Sequence, residues 1–192
     1  MVARLGYFTA VEGLLVGVYE TRMGKQGLEG LLKSLDEVSA SLKPSVCQFF
    51  NADRVASALH VAVAATVAMV AWRSKMNVAK KLEVEFLVRL SAQDQISRAI
   101  EILGISYETD RVGVCVMSKD AEGIELTRSK LERLFGCKLV PFVDNQSEYM
   151  VDELSKIYGV PERALKSVQA GNRFKALELL LMERVAISLI SR

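Results

Sequence analysis

Groups that do chemistry are scarce in this chain of 192 residues. There is one histidine, His60, and there are three cysteines, Cys47, Cys115 and Cys137. The cysteines lie far apart, form no CxxC pair and match no common zinc spacing with the histidine. Thiols used this sparingly fit reduced core positions in a cytoplasmic protein. No strand is followed by GxGxxG, and GxxxxGK[ST], HExxH and GxSxG do not occur. The formal net charge is only +2, too small to imply nucleic-acid binding unless the basic residues cluster locally. Internal repeats, low-complexity tracts and linkers are missing. No cofactor or metal is expected, and nothing points to an enzyme.

What is present is ordinary globular material, 51% hydrophobic and 25% charged, enough for a core at this length. The apolar run at 5–19 is broken by Glu12 and reads as strands rather than a targeting segment. The run Val55–Trp72, "VASALHVAVAATVAMVAW", approaches the length of a membrane span. It is alanine-rich, is interrupted by Ser57, His60 and Thr66, and has no aromatic belts, so a buried central helix is expected and no membrane contact. Asn51 or Asp53 is the expected N-cap, and Arg73 and Lys75 close the C-terminal end.

Alternation and helical spacing place the other elements. Strands are expected at 2–8 and 14–21, a helix from about 27 to 42 stopped by Pro44, and a short strand in "SVCQFFN". In "LEVEFLVRL" Leu82, Val84, Phe86, Val88 and Leu90 alternate, which reads as a strand, with Glu83, Glu85 and Arg89 on its partly wet face. Ser91 is the expected N-cap of a helix ending in a Schellman turn at Gly104. A strand at 111–117, a helix at 121–136 and an extended "KLVPFV" follow, and helices at 147–158, 161–168 and 172–191 close the chain. The expected fold class is α/β: a small mixed or antiparallel sheet covered by several helices, in a single domain over 1–192 whose C-terminal helical part is about 147–192.

Three features bear on function. Glu83 and Glu85 alternate like a carboxylate pair, but the nearby Arg89 favours a solvated charged face, and His60 among valines and alanines reads as a core histidine. Lys75, Lys80, Lys81, Arg89 and Arg98, with Arg73, cluster around the end of the central helix and the segment after it; if they converge they make an anion-binding edge. The last helix is over-apolar. Phe174, Leu177, Leu181, Val185 and Leu189 form one stripe, and Leu179, Met182, Ala186 and Ile190 a second, widened by Leu180 and Ile187. One stripe suffices for packing, so the second suits either a partner or a helix threaded through its own core.

The block "FFNADRVASALHVAVAATVAMVAW", a short basic loop and "LEVEFLVRLSAQDQISRAIEILGI" together resemble the small accessory subunits of the KEOPS (EKC) complex, the TPRKB-like family of PRPK-binding proteins, in its archaeal type. The residues that carry it are His60-Val61, Glu85 to Ser91, Gln95-Ile96-Ser97 through Gly104-Ile105, and the closing Glu183 to Ser191. Val61 stands where that family usually has leucine, and Ala92-Gln93 where it more commonly has Gly-Glu. The resemblance implies a non-catalytic, cytoplasmic subunit for tRNA threonylcarbamoyladenosine modification. Its expected partners are the small PRPK-type kinase/ATPase and the tRNA 3′ CCA end. On this reading Met182, Val185, Ile187 and Ile190 contact the kinase. Lys75, Lys80, Lys81, Arg89 and Arg98 contact tRNA, with His60 and Gln95 as candidate base contacts. The alternatives are a homodimeric scaffold using the last helix, or a small-molecule enzyme near His60, Glu83 and Glu85.

Overall fold

The computed structural model describes residues 7–9 and 13–190; residues 2–6 of the strand expected at 2–8, and residue 191 of the helix expected at 172–191, lie outside them. Strands β1 (Tyr7–Thr9), β2 (Leu15–Arg22), β3 (Val46–Asn51), β4 (Arg111–Ser118) and β5 (Val140–Pro141) form an antiparallel sheet in the order β1-β2-β4-β3, with β5 also pairing β2. The helices are α1 (Lys25–Ser41), α2 (Ala58–Arg73), α3 (Leu82–Leu90), α4 (Ile96–Leu103), α5 (Ala121–Phe135), α6 (Glu148–Ile157), α7 (Glu162–Ser167) and α8 (Arg173–Ile187). The α/β class, the antiparallel sheet and the helical C-terminus are as the sequence implied.

Alternation along the strands builds two cores. Tyr19, Cys47, Phe49, Val112, Val114 and Val116 face one side, where Leu28 and Leu31 of α1 and Ile124 and Leu131 of α5 cover them. Val16, Val18, Phe50, Cys115 and Met117 face the other, under α2 and α3. Strand β4 is buried on both faces, so its pattern is a continuous apolar run rather than a clean alternation. Gly113 sits in it because Phe50 fills the space: a Cβ there would lie 2.2 Å from the Phe50 ring. A third cluster joins α6, α7 and α8 through Val151, Leu154, Leu165, Phe174, Leu177 and Leu181.

Helix α2 runs through the centre with Val61, Ala62, Ala64, Ala65 and Ala68 fully buried. Among the described residues no helix is long and apolar enough to cross a membrane. Its N-cap is Ser57, whose hydroxyl accepts from the His60 N–H at 3.0 Å; Asn51 instead caps the 3-10 turn Ala52–Arg54.

The largest departure is Leu82–Leu90, which is a helix, not a strand. Residues 85 to 90 are all buried, so apolar residues lie on every side of the helix and their spacing no longer reports its period. The decisive pattern is Glu85 and Arg89, four residues apart. In a strand they would be roughly 13 Å apart; on a helix they meet, and here the guanidinium lies 2.7 Å from the carboxylate with both side chains fully buried.

Ser91 is consequently the C-cap of α3 rather than the N-cap of α4. The Schellman turn falls at Ala92, in the left-handed region with φ 50°. Ala92 N–H donates to the Arg89 carbonyl at 3.0 Å and Gln93 N–H to the Val88 carbonyl at 3.3 Å. Gly104 has ordinary extended backbone, φ −62° and ψ 146°, and no Schellman turn; glycine is needed there because a Cβ would lie 2.4 Å from the Ile100 carbonyl oxygen.

Candidate docking helix and basic loop

Helix α8 starts at Asn172, whose side chain accepts from the Lys175 N–H at 2.8 Å. Phe174, Leu177, Leu181 and Val185 are buried against α6, α7 and α2. That side satisfies its packing. The other side does not: Leu179 is 45% exposed, Ile187 44% and Ile190, just past the helix end, 76%, with Ala186 exposed and Met182 half-buried between them. Of the four residues expected to contact a kinase, Met182, Ile187 and Ile190 reach solvent. Val185 does not; it is fully buried beside α2 and belongs to the core. The neighbouring α2 leaves Leu59, Val63, Thr66 and Val70 half-buried on one side, so apolar surface is not confined to α8.

The expected basic edge divides. Lys75, Lys80 and Lys81 are exposed in the loop between α2 and α3. Lys75 occupies the left-handed position, φ 58°, of the Schellman turn that ends α2, where Met76 N–H donates to the Ala71 carbonyl at 2.8 Å. Gln95 and Arg98 lie beyond the other end of α3, roughly 13 Å along its axis, and Arg98 pairs with Glu101 at 2.6 Å. Two residues leave the surface altogether, since Arg89 and His60 are both fully buried. A contact from either to a phosphate or base would require the core to open.

Arg89 is occupied internally. Its guanidinium donates to the Glu85 carboxylate, to the Ser188 carbonyl at 2.5 Å and hydroxyl at 3.2 Å, and to the Met76 carbonyl at 3.3 Å. The other Glu85 oxygen accepts from the N–H groups of Val78 and Ala79 at 2.8 and 2.9 Å. Desolvating two charges is expensive, and only such complete bonding offsets it. Glu85 is therefore no solvated carboxylate and no partner for Glu83, which is half-buried.

The imidazole of His60 packs edge-on against Tyr158, centroids 6.0 Å apart, and neither ring nitrogen is hydrogen-bonded. Burial pushes its pKa down to about 4, with the Leu90 carbonyl acting in the opposite sense. At neutral pH it is an uncharged core group. Cys47 and Cys115 are buried thiols whose pKa values burial raises, and Cys137 is half-buried; none forms a disulfide. Among the described residues no three His, Cys, Asp or Glu side chains gather as metal ligands.

Beside Lys81 lies a cleft of about 230 Å³ between α1, α3 and α4. Leu35, Phe49, Val84, Leu87 and Ile105 line it, with Lys81 and Glu83 also at its walls. Neither this cleft nor the exposure of Met76 and Val78 in the loop is legible in the sequence. Residues from four separate segments meet in it, and no local pattern announces that.

An α/β body with two packed faces leaves its last helix apolar toward solvent, a surface of the kind that suits a partner. The sequence model of the family described as "Kinase binding protein CGI-121" matches residues 29–188. Similarity also extends to "Regulatory protein Cgi121" of Methanocaldococcus jannaschii, 34% identical over 127 residues, covering 63% of this chain and 79% of that protein. The chain belongs to the CGI-121 family.

Proposed function

We propose that this protein is a non-catalytic regulatory subunit that binds a small PRPK-type kinase/ATPase within a KEOPS-type assembly for threonylcarbamoyladenosine modification of tRNA, in the cytoplasm. The observation that carries this reading is the second stripe of α8, with Leu179, Met182, Ala186, Ile187 and Ile190 left toward solvent on a helix whose other side is already packed. Scaled by their exposure, burying Leu179, Ile187 and Ile190 would contribute roughly 3–5 kcal/mol before association costs. Membership of a family described as kinase-binding names the kind of partner.

Binding of the tRNA 3′ CCA end is the finer part of the proposal. Lys75, Lys80 and Lys81 carry positive charge along one rigid loop, and the cleft beside Lys81 offers apolar walls to an unstacked base. Gln95 and Arg98 are a second, separate segment that a longer strand would cross. His60 and Arg89 have no direct part in it.

Two measurements test the reading. Ile187→Glu should abolish co-purification of the kinase while leaving thermal unfolding unchanged; wild-type retention would refute the docking role. Removing the 3′ CCA from tRNA should weaken binding to the protein, and equal affinity for the shortened tRNA would refute that part. Light scattering of the free protein addresses the homodimeric alternative, since a dimer broken by Ile187→Glu would favour a scaffold.

A further inference from the structure

The end of α8 and the basic loop after α2 are far apart in the sequence. Arg89 joins them. A single guanidinium binds the Ser188 carbonyl at the end of α8 and the Met76 carbonyl in the loop, so the two backbones lie side by side although they are far apart in sequence. Glu85 fixes Val78 and Ala79 by accepting from their N–H groups, and Asn77 closes the loop onto the Ala79 carbonyl at 2.9 Å. The loop is thus held by a buried ion pair rather than left to move.

Held in this way, the loop exposes apolar side chains. Met76 is 45% exposed and Val78 44%, the same range as Ile187 on the adjoining helix end. Nothing in a solvated basic turn requires a methionine and a valine at those positions. Isolated exposed apolar residues are ordinary, but these lie on a loop whose Met76 carbonyl shares the Arg89 guanidinium with the Ser188 carbonyl at the end of α8. Lys75 and Lys80 flank them.

We infer that Met76 and Val78 are part of the same protein-docking surface as the end of α8, and that this surface fits a partner patch with an apolar centre and acidic side chains at its rim. The exposed apolar side chains of Met76 and Val78, set beside the end of α8, select a protein occupant over RNA for this side of the loop. The inference rests on the kinase-docking reading of α8 and says how far that interface extends. Arg89 and Glu85 are its positioning residues: they touch no partner but set the loop against the helix.

The test is a calorimetric titration of the full-length chain with the recombinant PRPK-type kinase of the same organism. Met76→Glu and Val78→Glu should each weaken binding by ~10-fold, whereas Leu126→Glu, at a 63% exposed position on α5, should leave it unchanged. In stopped-flow measurements of the same pair, Lys75→Gln with Lys80→Gln should slow association and flatten its salt dependence. Thermal melts confirm that each variant is folded, as the exposure of these positions leads one to expect. If Ile187→Glu disrupts binding and the two loop variants do not, the extension is wrong while the docking role of α8 stands. Should Ile187→Glu also have no effect, the reading of α8 itself fails. Loss of tRNA affinity with kinase affinity intact in the loop variants would assign this surface to RNA and overturn the inference.

Discussion

Acidification should destabilise this protein through His60. The ring is fully buried, and its pKa in the fold is held down at about 4 against an ordinary value of 6.5. The folded state therefore holds this proton less tightly than the unfolded chain. Its contribution to stability is intact above pH 6.5 and is lost as pH falls from there toward 4. Between pH 7 and pH 5 the linkage amounts to about 2 kcal/mol, and to about 3 kcal/mol once pH is below 4. Neither ring nitrogen has a partner to lose, so the cost is one of desolvating the imidazolium. Denaturant unfolding followed by the fluorescence of Trp72, the single tryptophan, measures stability across this range. The comparison is with His60→Leu, which removes the titrating group and two unsatisfied buried ring nitrogens together. That variant should match or exceed the wild type at pH 7. Because the carboxylates titrate in both proteins, the difference between the two curves isolates the histidine. Parallel curves between pH 7 and pH 5 would refute the argument and imply that water or the Leu90 carbonyl stabilises the charged ring.

The buried ion pair makes a second prediction. Arg89→Met alone should destabilise by roughly 3–5 kcal/mol because Glu85 is left charged in the core, and Glu85→Leu with Arg89→Met should recover much of that; additive losses in equilibrium unfolding would refute the pairing as the cause. Ala92, at φ 50°, should gain roughly 1 kcal/mol on replacement by glycine, seen as a rise in Tm. Lys75→Gly at φ 58° should likewise raise Tm while removing a charge from the loop, so any loss of tRNA binding in that variant cannot be blamed on folding.

Much of the site was legible because it depends on helical spacing at one end of the chain. The two stripes of α8 could be separated on paper, and the structure buries Phe174, Leu177, Leu181 and Val185 while exposing Leu179, Ala186, Ile187 and Ile190. Val185 lies on the first stripe yet was counted among the partner-facing residues, and α2 covers it. The error at Leu82–Leu90 has a different origin. Alternating apolar residues are strand-like only if one face is wet, and this segment is surrounded by protein. Its i, i+4 pair of glutamate and arginine was the local signal for a helix, outweighed by the alternation.

By itself the sequence determined the α/β class, the central alanine-rich helix, the paucity of chemical groups and the surplus apolar face of the last helix. These follow from composition and short-range period, which each segment carries alone. Only the tertiary structure decided that Arg89 and His60 are core groups, that the basic residues divide about α3, and that the loop bearing Met76 and Val78 lies against the end of α8. Burial and adjacency arise from segments far apart in the chain, and a charged side chain looks the same in sequence whether it meets water or a buried partner.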